Sequence, residues 1–229
     1  PLCILIFVLI IVIWKLAVND DGNYEEKYAG ADLSVDIDGI ARDDTYAKYL
    51  DKHKDDACPK KEVDVDIFDY LPSSTGVSVV NDVDGESRVL QSDENGSVEW
   101  EVDIPEAGLY SVYLEYYPVE SRGIDIERAF YINNELPFYG ADAITFSRVW
   151  SDSGEIQKDN QGNDIRPTQK ENPIWQASYA KDYMGYYVEP YKFHFKKGIN
   201  KFKIEGVNEP LIIRKLTIKN PDEAVTYAE

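Results

Sequence analysis

Between residues 98 and 104 the chain alternates in character. Val98, Trp100, Val102 and Ile104 are apolar, and Glu99, Glu101 and Asp103 stand between them. A period of two puts one set of side chains against a core and the other in water, as in a half-buried strand. Pro105-Glu-Ala-Gly108 breaks the pattern with turn residues. The alternation resumes with Tyr110, Val112, Leu114 and Tyr116 against Ser111, Tyr113, Glu115 and Tyr117. The pattern predicts two long antiparallel strands joined by a short turn. A lone hairpin is not stable in water, so further strands are expected on its apolar face.

Those strands are legible on both sides. Strand character begins at Val63 and recurs at 76–83 and 88–91, then at 126–133, where Asn133-Asn134 is a hairpin-turn pair. It returns at 137–139, 143–150, 175–179, 185–195, 199–207 and 211–219. About ten short strands with turn signals between them predict an all-β fold, an antiparallel two-sheet jelly-roll β-sandwich spanning 63–220. Residues 151–173 have no apolar periodicity and read as a long loop, the kind that is usually functional or disordered. Upstream, residues 2–14 are an unbroken apolar run, followed by Lys15 and Leu16 to Val18. With a few preceding residues this approaches the ~20 needed to cross a bilayer. The expectation is an N-terminal transmembrane helix over 1–18, with a cleaved signal segment as the alternative. Residues 19–62 read as an acidic, solvated spacer, although 45–53 would place Tyr46, Tyr49 and Leu50 on one helical face. Residues 221–229 read as the start of a linker to a further C-terminal domain.

Charge narrows the function. The net charge is −19, from 24 Lys and Arg against 43 Asp and Glu, so a phosphate backbone is repelled and no nucleic-acid partner is expected. Cys3 lies in an apolar run and Cys58 in a polar one, which argues against a mutual disulfide, and no Cys/His spacing fits zinc. Two D-x-D-G stretches, 36–39 and 82–85, lack the remaining ligands of a calcium loop and read as acidic turns. Of the two histidines, His53 and His194, the second alternates with Lys192 and Lys196 and is expected to face solvent. With no nucleophile elbow and no phosphate-cradling glycine loop, an enzyme is not expected. No cofactor is expected either, and a structural calcium is an option that the residues do not single out.

The long loop carries the ligand chemistry. Around it stand Arg148, Trp150, Asp152, Asn160, Asn163, Asp164, Arg166, Gln169, Glu171 and Trp175, with Tyr117 and Arg122 at the end of the central hairpin. Sugars present apolar C–H faces to aromatic rings and hydroxyls to planar polar groups, and this set offers both. In the competing reading, Trp150 and Trp175 anchor the loop to the core.

The stretches EWEVDIPEAGLYSVYLEYY, IERAFYINNELPF and FKKGINKFKIEGVNEPLIIRKLTI resemble the galactose-binding-like jelly rolls that serve as sugar-binding modules of secreted carbohydrate enzymes. With the apolar N-terminus, the acidic spacer and the RVW…DNQGNDIRPTQKENPIW loop, the chain is similar to the N-terminal region of large extracellular solute-binding proteins of bacterial sugar ABC importers. The resemblance implies a non-catalytic carbohydrate-binding module on the extracellular face of a bacterial membrane. Its implied partners are carbohydrate, a C-terminal solute-binding domain of the same chain, and the membrane through the N-terminal helix. A sandwich that docks on that further domain is the alternative. In such modules an acidic pair on the first strand and a late Asp hold a structural calcium. Asp64 and Asp66 match the pair, but the late position reads Ile213-Arg214-Lys215, without an Asp.

Overall fold

Val98, Trp100, Val102 and Ile104 are all buried, as their alternation requires. They lie on β3 (Val89–Ile104), the longest strand. The computed structural model describes residues 44–222, so the expected membrane helix and the 36–39 turn lie outside the described residues. Among the described residues no helix is long and apolar enough to cross a membrane.

In chain order, α1 (Tyr46–Lys52) is followed by β1 (Val63–Val65), β2 (Thr75–Val80), β3, β4 (Gly108–Tyr110), β5 (Val112–Pro118), β6 (Ile126–Ile132) and β7 (Ile144–Phe146). Then come β8 (Trp150–Asp152), β9 (Gln157–Lys158), β10 (Asp164–Ile165), β11 (Gln169–Glu171), β12 (Gln176–Tyr179), β13 (Phe193–Phe195), β14 (Gly198–Asn208) and β15 (Leu211–Ile218). The main sheet runs β12-β5-β15-β3-β14-β6-β7, with β1 beside β15 and β2 beside β3.

The described residues are all-β apart from one short helix, and they form a sandwich, but the two layers are not separate sheets. Leu211 to Ile213 of β15 pair with Ser92 to Leu90 of β3. Gly198 to Glu205 of β14 pair with Ile104 to Ser97. β14 and β15 thus follow one another along β3, and the sheet forks where they meet. β14 carries β6 and β7, while β15 carries β5 and β12. The two branches face each other, with the Tyr116 ring on β5 set 5.2 Å from Phe146 on β7. At the fork the backbones crowd. A Cβ on Gly96 would come within 2.6 Å of the Gly76 carbonyl, so glycine is required there.

The expected hairpin between β3 and the following strand does not form. β5 and β3 lie on opposite sides of β15, and β4 pairs with β13. Alternation fixes which face of a strand is buried; it does not fix its neighbour. The Asn133-Asn134 turn does form, with φ of 53° and 70° and reciprocal backbone bonds between Ile132 and Glu135. Asp82 to Gly85 form an ordinary tight turn closed by Val83 and Glu86.

Residues 44–62 correct the expected spacer. Thr45 caps α1, its hydroxyl accepting from the Lys48 N–H at 3.4 Å. The buried Tyr46 ring packs 4.6 Å from Phe138 and 4.7 Å from Tyr191, inside the main core. Its hydroxyl accepts from the Lys192 N–H at 2.9 Å, and the Tyr49 hydroxyl accepts from the His194 N–H at 2.6 Å. Further on, the Ala57 carbonyl accepts from the Leu109 N–H at 2.8 Å. Burying a large side chain of this kind is worth roughly 1.5–3 kcal/mol, which draws the amphipathic segment out of solvent.

Candidate functional site

The segment expected to be strand over 185–195 is strand only at β13. Before it, residues 181–190 form an exposed loop in which Tyr183 is 62% and Tyr186 80% solvent-accessible. Asp182 shapes this loop by accepting from the Met184 and Tyr187 N–H groups, each at 3.0 Å. Together with the β6–β7 connection and the start of α1, the loop encloses a cleft of about 450 Å³. Tyr46, Tyr187 and Tyr191 line its inner part, and Tyr139, Tyr183 and Tyr186 are the exposed rings. Glu127, Asp142 and Asp182 add carboxylates, against a single lysine, Lys181. Asp142 accepts from the Gly140 N–H at 2.9 Å and Glu127 from the Asn208 side-chain amide at 2.7 Å. Each carboxylate keeps acceptor capacity beyond these bonds. Burial pushes the Tyr46 and Tyr191 phenols up to about 12, so they stay neutral donors at ordinary pH. This concentration of rings escaped the sequence reading because a tyrosine-rich run also suits a strand. The usable signal was YMGYYVEPY, in which Gly185 and Pro190 break any strand while the rings persist.

The long loop at 151–173 is an ordered antiparallel arm. β8 pairs with β11, and β9 with β10, closed by an Asp159 turn. Trp150 is 46% accessible and lies against Gly123, where a Cβ would meet its ring at 3.2 Å. Asp152 accepts from the Gln169 amide. Asn163 is spent on the turn, donating to Asp159 from backbone and side chain, and Asn160 and Arg166 are exposed. Ile156 and Ile165 are also exposed along the arm.

Trp175 sits elsewhere. Its ring lies 5.4 Å from Tyr117 and under the Arg214 guanidinium at 4.7 Å, and its indole N–H donates to the Asp84 carbonyl at 3.3 Å. The two tryptophans therefore touch different groups and do not form one platform. Arg148 is a correction to the expected ligand set. Its Nε donates to the Ile124 carbonyl at 2.7 Å, and its Nη1 donates to the Val119 carbonyl at 3.0 Å and to the Glu171 carboxylate. Its Nη2 donates to Glu209 Oε2 at 2.6 Å. With its side chain 1% exposed, Arg148 holds the base of the arm from within and presents nothing to a ligand. The buried Glu209 also accepts from Arg122 Nε at 3.3 Å, while Arg122 Nη2 reaches Glu94 at 2.9 Å.

The first-strand carboxylates already have protein partners. Asp64 accepts from the Thr217 hydroxyl at 2.7 Å, and the Lys215 ammonium lies 3.5 Å away, where calcium would need another oxygen. The Thr217 hydroxyl, followed by Lys215 and Lys219, holds the Asp64 carboxyl below its usual range. Asp66 accepts from the Phe68 N–H at 3.0 Å.

No protein-family model matches this sequence, and no curated protein matches it. Solved structures do. A Podospora anserina GH26-CBM35 beta-(1,4)-mannanase is 11% identical over 73% of this chain and 29% of its own, with a TM-score of 0.41. A family 35 carbohydrate binding module from Clostridium thermocellum is 12% identical over 70% of this chain and 99% of its own, with a TM-score of 0.40. A family 35 module from an environmental isolate is 11% identical over 69% and 91%, with a TM-score of 0.40.

Proposed function

We propose that the chain is a non-catalytic carbohydrate-binding module whose ligand lies in the tyrosine-lined cleft. The observation that carries this is the exposure of Tyr183 and Tyr186 beside Asp142 and Asp182 in one concave site. Exposed rings gathered in one concave patch mark a binding site. Rings stack on the C–H faces of a sugar, and carboxylates accept from its hydroxyls. Three carboxylates against one lysine favour a neutral glycan over a uronate. Carbohydrate is also the ligand class in the names of the similar modules, but the reading rests on the cleft.

Asp152, Asn160, Arg166 and Gln169 with Trp150 offer a second polar and aromatic surface on the arm, which Arg122 and Asn163 would only support, while Tyr117 and Trp175 pack on each other instead. One observation favours a different use of the arm. Ile156 at 61% and Ile165 at 49% exposure are apolar side chains that a sugar site does not need and a protein contact does. Docking on a further domain is therefore the second reading. The wider setting is proposed from sequence alone: a bacterial membrane anchor at the N-terminus, an extracellular position, and a part in sugar uptake.

The test is glycan-array screening of the full chain, followed by titration of the best ligand. Tyr186→Ala should weaken binding by roughly 30-fold, the loss expected of a stacking anchor worth ~2 kcal/mol. Its melting temperature should not change, because the ring is exposed. If Trp150→Ala removes binding and Tyr186→Ala does not, the site is the arm. If no glycan is retained, the docking reading replaces this one.

A further inference from the structure

At its C-terminal end α1 meets β13. His53 is the capping residue of the helix, and its ring stacks on that of His194 with centroids 4.5 Å apart and planes 19° from parallel. Asp56, in the turn that follows, places Oδ2 at 2.6 Å from His53 Nδ1 and 3.5 Å from His194 Nε2. One donor atom from each of the three side chains lies within 4.8 Å of the others. His194 was expected to face solvent, but its side chain is only 24% exposed and that of His53 13%.

We propose that His53, Asp56 and His194 form a binding site for a transition-metal dication of the zinc type, which clamps α1 to β13. Two imidazole nitrogens and one carboxylate oxygen are the donor set of zinc, cobalt or nickel, whereas calcium and magnesium take oxygen cages. Metal–ligand bonds of about 2.0–2.1 Å at tetrahedral angles separate neighbouring donors by about 3.3 Å. The His194–Asp56 pair at 3.5 Å already has this spacing. The His53–Asp56 pair would open by about 0.7 Å from 2.6 Å, a shift the exposed Asp56 can supply within its turn. Both ring nitrogens lie near the same carboxylate oxygen, from elements more than a hundred residues apart in sequence.

The neighbours hold this geometry. The His194 backbone N–H donates to the Tyr49 hydroxyl at 2.6 Å, and the Tyr49 ring lies 4.7 Å from that of His53. Lys52 and Lys196 lie near enough to oppose a cation at His194, while the net charge of −19 favours one overall. Three protein donors leave a fourth position for water or an outside ligand, and the partial exposure of Asp56 leaves room for it.

The chain has only two histidines, so their imidazole resonances report on this site alone. The full chain, stripped with a chelator, is titrated with zinc and followed by NMR and thermal melting. Both imidazoles should shift together and saturate at one equivalent, and the melting temperature should rise; calcium should move neither resonance. His194→Gln and Asp56→Asn should weaken zinc binding by more than the roughly 10–100-fold typical of a lost outer partner. In Asp56→Asn the rise in melting temperature on adding zinc should be lost. Imidazole resonances that ignore stoichiometric zinc would overturn the proposal, leaving Asp56 as a hydrogen-bond partner of His53. Zinc affinity unchanged in both variants would also overturn it, placing the ion on carboxylates elsewhere.

Discussion

Tyr46→Ala tests whether the segment before β1 belongs to the fold. The ring is buried and contacts Phe138, Tyr187 and Tyr191 with centroids 4.6, 4.8 and 4.7 Å away. Truncating an aromatic side chain in such a setting costs about 3–5 kcal/mol. Tyr46→Phe keeps the ring and loses only the acceptor for the Lys192 N–H. That bond is part-buried, so the cost should be about 1 kcal/mol. In a domain of this size 1 kcal/mol moves the melting temperature by about 2–4 °C. The alanine variant should therefore melt about 6–20 °C lower and the phenylalanine variant about 2–4 °C lower. Thermal melting followed by tryptophan fluorescence provides the assay, with the buried Trp100 as a reporter, and urea unfolding with an unchanged slope checks that only stability moved. If Tyr46→Ala melts within about 1 °C of the parent, then 44–62 is a solvated spacer after all and the aromatic packing contributes nothing.

Three further outcomes follow from the described contacts. Glu209→Gln leaves the buried Arg148 guanidinium short of a counter-charge, and should cost about 3–5 kcal/mol in urea unfolding; a loss below 1 kcal/mol would show that Glu171 and the carbonyls suffice. Burial pushes Tyr46, Tyr49, Tyr116 and Tyr191 up to about 12 from an ordinary value of 10.0. Because the folded value is the higher one, their contribution is fully present below pH 10 and is lost as pH rises through about 12. Phenolate absorbance should then climb in two steps, the second coinciding with loss of the circular dichroism signal, and a single step near pH 10 would contradict the burial. Trp175→Ala removes one ring pair and one cation–π contact, together about 1–2.5 kcal/mol, and should lower stability while sparing glycan affinity; the reverse result would restore it to the binding surface.

What the sequence disclosed was local. The alternation in β3 and β5 announced their buried faces, and Asn133-Asn134 announced its turn, because both depend on neighbours in the chain. The insertion of β15 between β3 and β5 was not legible, since strand partners are chosen by packing across the whole domain. The 151–173 arm looked unstructured because a two-stranded ribbon exposed on its faces needs no apolar period. Arg148 looked like a ligand residue because nothing in its vicinity in sequence reveals Glu209, which is brought to it by the fork of the sheet. The cleft was hidden for the opposite reason: tyrosines that suit a strand were placed on a loop by Gly185 and Pro190.

The central position of β15 has a consequence for how the protein is made. A ribosome releases the chain from its N-terminus, so β3 and β5 emerge long before the strand that separates them. Val63 also waits for its partner, Ile218. Until synthesis has passed that residue, one whole branch of the sandwich is a set of open edges, and its closure is a slow, long-range step. Open edges invite pairing with neighbouring nascent chains. Here the strands that wait for β15 carry Asp64 on β1 and Glu115 on β5, so two unfinished copies meet with like charges facing each other. The acidity that sets the chain's net charge thus also keeps unfinished copies apart while they wait for β15.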